Sequence, residues 1–402
     1  MKPAESRPIK DYCLGIFDGP HATPKESHDG PIFLGIKNIT EDGQLDLSEI
    51  RHVSEEEYPR WTRRVTPQPG DVVFTYEATL HRYAVIPEGF RGCLGRRVAL
   101  VRPDSGRADS RYLLYFFLSR EWRRVVESSV ITGATVDRVP LERFPSFPAA
   151  LPRLDVQQQI AGLLSAYDDL IENNRRRMAL LEEAARQLYR EWFVRLRFPG
   201  HEHTRITNGV PVGWIRVPTP EAVDINPTTR LSDETDHWSV EMADLPIDSM
   251  VIQQATKREG RSGSKFRNGD TLFARITPCL ENGKTAFVNF LEEGEVARGS
   301  TEFIVLRSRS LTPEFVYCIA RTYDFRENAI KSMVGASGRQ RVQESCFEKF
   351  LVLIPAGPLL DVFADAVRPM FRQVKTLHSQ NQKLRAARDL LLPRLMSGEI
   401  AV

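Results

Sequence analysis

The chain has 402 residues, more than a single hydrophobic core usually holds, so two or more domains are expected. Its composition, 41% hydrophobic and 27% charged, excludes a predominantly disordered chain. The net charge of +2, from 55 basic and 53 acidic residues, neither requires nor excludes an anionic partner, so the distribution of charge has to decide that point.

Cysteine usage and apolar stretches indicate where the protein is found. The cysteines are odd in number and form no CxxC pair, so free thiols in a reducing compartment are expected rather than disulfides or structural zinc. They are Cys13, Cys93, Cys279, Cys318 and Cys346. No stretch resembles a signal peptide or approaches the roughly 18 apolar residues of a membrane span. We therefore expect a cytoplasmic protein with no membrane partner.

Residues 1–152 have the pattern of a mixed α/β domain. The runs "PIFLGIKNI", "DVVFTY" and "CLGRRVALV" are rich in β-branched and aromatic residues and predict strands. The run "RYLLYFFLSREWRRVVES" predicts helix. A first globular domain is therefore expected over 1–152.

Residues 153–197 predict one long helix. Between Val156 and Trp192 there is no proline and only one glycine, and apolar residues recur at spacings of three, four and seven. Asp155 is the expected N-cap. The stripe comprises Ile160, Leu164, Tyr167, Ile171, Met178, Leu181 and Leu188, with Asn174 in the same series.

The second half repeats this organisation. The glycine- and proline-rich segment "RFPGHEHTRITNGVPVGW" predicts a linker, a second mixed α/β domain is expected over 198–354, and a second long helix over 355–402. Pro369 should kink this helix or end its first segment, and Pro393 should terminate its regular part close to "RLMSGEI". Its stripe includes Val367, Val374, Leu377, Leu384 and Leu391, with Asn381 in the series.

Matching segments indicate an internal duplication with a period of roughly 200 residues. The segment "GDVVFTYEATLHRYAVI" resembles "GDTLFARITPCLENGKTAFV", and "TGATVDRV" resembles "VGASGRQRV". Two copies are too few for a solenoid. The similar stripes favour antiparallel pairing of the two helices, although packing against the domains is an alternative. Asn174 and Asn381 either set the register of that pairing or face solvent.

Motifs of catalysis and metal binding are absent. The sequence contains no GxGxxG, phosphate loop, HExxH or GxSxG, so we predict no catalytic residue, metal or cofactor in this chain. Asn226 with Pro227 lacks the rest of an adenine methyltransferase motif. Asp270, Glu281 and Lys284 have the wrong spacing for a metal nuclease. His201 and His203 lack a third ligand and are expected in a solvated loop.

Basic residues cluster in both domains, beside glycine or polar turn residues and interleaved with aromatic ones, which favours contact with nucleic acid. The candidates in the first domain are Lys25, Lys37, Arg63, Arg64, Arg82, Arg96, Arg97 and Arg138. Those in the second are Lys257, Arg258, Arg261, Lys265, Arg267, Arg275, Lys284, Arg339 and Arg341, with Arg230 nearby. For any one of them a solvated charge is the alternative.

The chain closely resembles a specificity subunit of a type I restriction-modification enzyme over nearly its full length. Residues 151–193 are similar to the central conserved region of that family, and residues 381–400 to its C-terminal one. "FDGPHATPKESHDGPIFLGIKNI" resembles the opening of a target-recognition domain. The start of the second helix, "PAGPLLDVF", is less close to the family pattern than "LPRLDVQQQI".

The resemblance implies an α/β (mixed α+β) fold with an internal pseudo-twofold repeat, in which two target-recognition domains are separated by two long antiparallel coiled-coil helices. It implies recognition of a split target in double-stranded DNA, one half-site per domain. It also implies two methylation subunits and two restriction subunits as partners, which would carry S-adenosylmethionine, ATP and magnesium. The alternatives are a duplicated, non-catalytic protein scaffold and a stand-alone DNA-modifying enzyme.

Overall fold

The computed structural model describes residues 5–25, 27–131 and 136–402. The chain divides into two compact units. The first unit comprises Met1–Ile171 and Lys383–Val402, and the second comprises Glu172–Gln382. The boundary between them therefore lies inside both long helices.

The first unit is built from short strands and helices in a mixed order. Its strands are β1 (Arg7–Pro8), β2 (Cys13–Asp18), β3 (Ser27–Leu34), β4 (Arg51–His52), β5 (Val72–Thr75), β6 (Tyr83–Val85), β7 (Gly92–Leu94), β8 (Val98–Pro103) and β9 (Pro148–Ala149). Its short helices are α1 (Tyr58–Trp61), α2 (Ser110–Leu118) and α3 (Arg120–Glu127). The long helix α4 (Leu154–Tyr189) begins in this unit.

The second unit contains a similar set of elements. Its strands are β10 (Ile206–Thr207), β11 (Val210–Pro211), β12 (Ile215–Pro218), β13 (Val223–Ile225), β14 (Asp236–Val240), β15 (Thr256–Glu259), β16 (Ser264–Arg267), β17 (Thr271–Ala274), β18 (Thr285–Phe287), β19 (Val296–Gly299), β20 (Phe303–Ser308) and β21 (Leu351–Ile354). Its short helices are α5 (Thr219–Ala222), α6 (Pro313–Ala320), α7 (Tyr323–Lys331) and α8 (Cys346–Lys349), and α9 (Leu359–Met396) begins here.

The central sheets of the two units have the same topology. In the first unit the strand order is β2-β8-β5-β6, and in the second it is β13-β20-β17-β18. All neighbours in both sheets are antiparallel. A second sheet in each unit contains one parallel pair, β3 with β7 and β14 with β19. The predicted duplication is therefore present in the topology of the two units.

Each central sheet is covered by a pair of short helices whose first turns are capped by side chains. Asp109 accepts a hydrogen bond from the backbone N–H of Tyr112 at 2.8 Å, and Ser119 caps α3. Thr312 and Thr322 cap α6 and α7 in the same way. A short polar side chain at this position satisfies a backbone donor that the helix leaves unpaired.

Aromatic residues fill the core between these helices and the sheets. In the first unit, the ring centroids of Phe117 and Trp122 lie 4.8 Å apart, and those of Phe74 and Phe144 lie 4.6 Å apart. In the second unit, Phe193 of the segment after α4 packs on Phe315 at 4.6 Å. In the second unit, close-packed rings therefore attach the domain to the segment at the end of α4.

Within the second unit, α4 and α9 run antiparallel. The ring of Trp192, just after α4, lies 6.0 Å from that of Phe363, and Asn174 lies beside Asn381. Residue numbers therefore increase along α4 in the direction in which they decrease along α9. The amide nitrogen of Asn174 donates to the amide oxygen of Asn381 at 2.9 Å, and the two side chains are only 6% and 3% exposed. The two asparagines therefore pair in the buried seam rather than facing solvent.

Pro369 does not end a first segment of the second long helix, whereas the helix does end close to Pro393, within "RLMSGEI", as the sequence predicted. Pro369 lies inside α9, which continues to Met396, and Pro393 lies in its last turn. A proline inside a helix costs about 3 kcal/mol, because it lacks the N–H that would bond to the preceding turn. Val367 and Phe371 on either side of Pro369 are buried in the core of the second unit, and this burial offsets the cost.

Three further local predictions are corrected. Asp155 is not an N-cap but lies in the first turn of α4, where its charge favours the positive end of the helix dipole. The run "CLGRRVALV" forms two strands, because the chain turns at Arg97, whose φ is 71°. The segment after α4 is not a solvated linker throughout, since Phe198 and Trp214 are buried with ring centroids 4.7 Å apart.

Candidate nucleic-acid interface

A buried ion pair anchors the strand that leads into the candidate site of each unit. In the first unit, Arg102 donates to both carboxylate oxygens of Asp71 at 2.9 and 2.8 Å. In the second, Arg307 donates to both oxygens of Asp270 at 2.7 Å. Because Asp270 is held in this way, it serves the fold and is not placed for metal-nuclease chemistry.

The first loop cluster lies where the chain leaves β5. It consists of Asp18, Arg64, Tyr76, Glu77, Arg96, Arg97 and Arg138. The backbone N–H of Tyr76 donates to the carbonyl of Arg97 at 3.2 Å, and that of Val139 donates to the carbonyl of Tyr76 at 2.7 Å. Three loops are thereby joined at one point.

The second loop cluster lies at the equivalent point, where the chain leaves β17. It consists of Asn226, Arg275, Glu302, Arg341 and Glu344. The backbone N–H of Arg275 donates to the carbonyl of Glu302 at 2.9 Å, and that of Val342 donates to the carbonyl of Arg275 at 3.0 Å. These bonds repeat those of the first unit, so Arg275 takes the place of Tyr76 and Glu302 takes the place of Arg97.

The ion pairs of the two clusters differ although the backbones agree. In the first cluster, the Arg97 guanidinium lies 2.8 Å from Glu77, and Arg64 lies 2.5 Å from Asp18. In the second, Arg341 binds Glu302 with both a side and an end nitrogen, at 2.9 and 2.6 Å. Each cluster thus presents an arginine held in orientation by a carboxylate, but from a different loop.

Tyr76 contributes a buried hydroxyl to the first loop cluster. Its side chain is buried, and its hydroxyl makes no hydrogen bond with any described residue. Burial, together with the nearby charges of Asp18 and Glu77, raises the pKa of Tyr76 to about 12. The hydroxyl is therefore a neutral donor at physiological pH. The sequence pointed to Tyr76 only as one of several aromatic residues.

The other basic candidates of the first unit are dispersed. Lys37 pairs with Glu49 at 3.0 Å, and Arg82 donates to the carbonyl of Ile39 and pairs with Glu41. Lys25 and Arg63 are exposed. The structure does not bring these four residues into the first loop cluster.

Several basic candidates of the second unit are engaged locally, away from the second loop cluster. Lys284 donates to the carbonyl of Met242 at 2.7 Å, and Lys265 donates to that of Gly263 at 2.7 Å. The remaining contacts are Lys257 over the ring of Trp238, Arg258 with Glu241, and Arg261 with the carbonyl of Leu231.

A subset of basic side chains is exposed and unengaged. Within residues 5–25, 27–131 and 136–402, these side chains make no hydrogen bond or ion pair, so they are available to a ligand. They are Lys25, Arg63, Arg96, Arg138, Arg267 and Arg339. Arg96 and Arg138 belong to the first loop cluster, and Arg339 lies two residues before Arg341. Of the segment "TGATVDRV", residues 132–135 lie outside the described residues.

The residues predicted to pair the helices occupy two environments. Ile160, Leu164 and Leu391 join the core of the first unit, so part of the stripe packs on the domain. In the second unit, the core includes Met178, Leu181, Leu188, Val367 and Val374. Leu377 is buried, whereas Tyr167 and Leu384 are half-buried and Ile171 is buried. The stripes therefore serve domain packing in both units as well as helix pairing at Asn174 and Asn381.

Alternative chemistry finds no support in the geometry. In the part of the chain that the structure describes, no three His, Cys, Asp or Glu side chains are grouped as a metal site. Asn226 accepts from the backbone of Val305 and donates to Glu344, which is a structural role. His201 bonds the carbonyl of Phe198 at 2.8 Å. None of the helices described combines the length and apolarity needed to cross a bilayer.

Comparisons with known proteins show what this chain is similar to. Residues 53–183 match the family described as the type I restriction modification DNA specificity domain. The type I restriction enzyme MjaIX specificity subunit of Methanocaldococcus jannaschii is 24% identical over 99% of this chain and 90% of its own length. The type I restriction enzyme EcoEI specificity subunit of Escherichia coli is 28% identical over 36% of this chain and 26% of its own length.

A solved structure supports the fold. The crystal structure of the S subunit of a type I restriction-modification system from M. genitalium covers 97% of this chain and 95% of that chain, with a TM-score of 0.52 at 13% identity. The predicted mixed α/β fold is thus confirmed. The chain is similar to specificity subunits of type I restriction-modification systems, the family that its sequence resembles. The relatives bear the name of specificity subunits, which agrees with a chain that is not an enzyme by itself.

Proposed function

We propose that this chain recognises a split target in double-stranded DNA, with one half-site read by each unit. The observation that carries the proposal is the repetition of one backbone junction in both units, each with arginines around it. The same hydrogen bonds hold Tyr76 and Arg275 at that junction. Two units with the same backbone junction are suited to a DNA target that has two separate parts.

The side chains at the junctions have the chemistry of base and phosphate recognition. A guanidinium presents donors in a fixed fork that fits the edge of guanine or a phosphate. Arg341 is pre-oriented by hydrogen bonds to Glu302, which reduces the entropy lost on contact, and Arg97 has a charge partner in Glu77. Arg96, Arg138 and Arg339 add exposed charge for the DNA backbone. The different placement of these arginines would give the two units different half-sites.

The long helices are proposed to set the gap between the half-sites. They contain 36 and 38 residues, and at about 1.5 Å per residue they are each roughly 55 Å long. This length corresponds to no more than about sixteen base pairs of B-form DNA at about 3.4 Å per base pair. A helical spacer keeps its length, whereas a flexible linker would permit gaps of varying size.

The remaining parts of the proposal concern partners. We propose that two methylation subunits dock on the helices and that two restriction subunits complete the assembly. The partners, not this chain, would carry S-adenosylmethionine, ATP and magnesium. The support is the similarity of residues 53–183 to the type I restriction modification DNA specificity domain and of nearly the whole chain to a specificity subunit.

An insertion at the boundary between the units tests the proposal. Seven residues with heptad character would be inserted between Ile171 and Glu172 and seven more between Gln382 and Lys383, which leaves the internal contacts of each unit intact. The expected result is an unchanged pair of half-sites with a gap longer by about three base pairs. The measurement is the sequence of DNA fragments selected by the complex of this chain with its methylation subunit.

The control is the same insertion in α4 alone, which lengthens α4 but not α9 across the boundary, so the helix contacts of one unit should be lost and binding should weaken. An unchanged gap in the double insertion would contradict the spacer role. A scaffold that only assembles proteins would select no DNA sequence in any of these complexes. Salt-sensitive binding to one split DNA sequence would therefore argue against the scaffold.

A further inference from the structure

A cleft in the second unit is lined by arginines that the proposed DNA recognition does not use. Its volume is about 760 Å³, and it lies between the end of α4, the junction of α6 and α7, and β21. Five arginines line it, Arg186, Arg190, Arg216, Arg321 and Arg326, against one carboxylate among the lining residues, that of Asp324. None of them was singled out from the sequence.

The charge of this cleft is only partly neutralised. Arg186 and Arg190 share one carboxylate, that of Glu183, at 3.5 and 3.7 Å. Arg321 donates to two backbone carbonyls, which carry no formal charge. The side chain of Arg326 makes no hydrogen bond or ion pair among the residues the structure describes. A net positive cleft of this kind favours an anionic occupant.

The rim of the cleft is apolar and exposed. Tyr323 is 65% exposed, and Val194 and Leu351 are each 54% exposed. Aliphatic side chains gain nothing from phosphates, and protein–DNA interfaces are more polar than protein–protein ones. Arginine and tyrosine beside exposed aliphatic residues are the composition of protein-binding hot spots. The occupant is therefore a protein rather than DNA.

The equivalent cleft of the first unit has a different character. It lies between α9 and the junction of α2 and α3, has a volume of about 360 Å³, and is lined by acidic as well as basic residues. Arg388 there is paired with Asp168 and Asp389. Arg123, at the position on α3 that corresponds to Arg326 on α7, is paired with Glu127 at 3.1 Å.

We infer that the arginine-lined cleft of the second unit docks an acidic segment of a partner protein that also carries apolar side chains. The two units therefore hold partners unequally, and the contact at the second unit is the salt-sensitive one. The inference rests on the proposed function, because the partner that tests it is the methylation subunit.

The test compares charge reversal in the cleft with the same change at the equivalent position. The full chain, its Arg190→Glu/Arg326→Glu variant and its Arg123→Glu variant would each be purified and titrated with the methylation subunit, with affinity and stoichiometry followed by sedimentation velocity. The cleft variant should bind one of two methylation subunits at least tenfold more weakly, whereas Arg123→Glu should bind both like the native chain.

The outcomes separate this inference from the proposed function. Native stoichiometry and affinity in the cleft variant would overturn it, and so would a loss of DNA affinity with methylation-subunit binding unchanged. If the native complex selects no DNA sequence, the proposed function fails while the docking result stands. Should the double variant not fold, Tyr323→Ser, a change at an exposed side chain, should still weaken the same contact severalfold.

Discussion

The two units share a backbone plan and differ in the side chains that face the loop junctions. Strand order, helix caps and the buried ion pair beneath the junction are repeated, with Asp71 and Arg102 in one unit and Asp270 and Arg307 in the other. At the junction itself, Arg97 of the first unit is replaced by Glu302 of the second. The repeated parts build the scaffold, and the parts that differ are where two half-sites could be distinguished.

The largest effect is expected from removing the buried carboxylate beneath each junction. Asp270→Ala leaves the guanidinium of Arg307, which is only 12% exposed, without its charge partner, and should lower the free energy of unfolding by about 3–5 kcal/mol. Asp71→Ala should cost somewhat less, because Arg102 is 23% exposed and water can reach it. Urea unfolding of both variants measures the difference. If Asp71→Ala lowered the unfolding free energy as much as Asp270→Ala, or more, burial of the arginine would not explain the strength of the two ion pairs.

The paired asparagines allow a test of the seam between the helices. Asn174→Leu removes the donor to the Asn381 amide and should cost about 1–3 kcal/mol of unfolding free energy. Replacing both by leucine should recover part of this loss, because the Asn381 amide that lost its partner is then removed as well. A double-mutant cycle measured by thermal unfolding gives the coupling. Additive losses would rule out the pairing.

Single arginine variants can show which loop junction recognises which half-site. Arg341→Ala should weaken recognition of one half-site by about 1–3 kcal/mol, and Arg97→Ala should do so for the other. Each is measured by DNA selection with the methylation complex, since the half-site that loses its preference identifies the unit that reads it. If both variants relaxed the same half-site, the assignment of one half-site to each unit would be wrong.

A pH effect is expected in the second unit. Glu182 of α4 is buried and accepts hydrogen bonds from the hydroxyl of Tyr317 at 2.6 Å and the backbone N–H of Met250 at 2.7 Å. Burial raises the pKa of Glu182 above its ordinary 4.5. The folded state therefore holds this proton more tightly than the unfolded state, so its contribution to stability falls as pH rises from 4.5 through the raised pKa.

Glu182→Gln should remove this pH dependence. The difference in unfolding free energy between the native chain and the variant should then change with pH by up to about 1.4 kcal/mol per pH unit. Unfolding free energies measured across the acidic range check it. Tyr317→Phe serves as the control, because it removes a hydrogen bond that lowers the pKa of Glu182 and should keep or extend the pH dependence. An unchanged slope in Glu182→Gln would assign the effect to another group.

The periodic features of the fold could be predicted from the sequence, whereas little of the loop geometry could. Apolar spacing predicted both long helices because a helical stripe is a local pattern, and the duplication was visible in segments that later proved to be equivalent strands. The turn at Arg97 and the persistence of α9 through Pro369 were not readable. Both depend on tertiary packing that outweighs local preference.

The candidate site was predictable only in outline. Basic loops in both domains indicated an anionic ligand, but most candidates proved to be dispersed or engaged by local acceptors, as Lys284 is by Met242. The grouping of Arg97 with Glu77, and of Arg341 with Glu302, results from loops far apart in the chain. Aligning "GDVVFTY" with "GDTLFAR" was the one signal that pointed to the equivalent junctions.

The central claim, that two units read two half-sites at a fixed separation, is tested most directly by mapping methylated adenines. The full chain would be co-expressed with its methylation subunit, and modified adenines would be located across the host genome. If each unit reads one half-site, the modified adenines should lie in a single two-part motif with a gap of constant length. A continuous short motif, or half-sites found at varying separations, would contradict it.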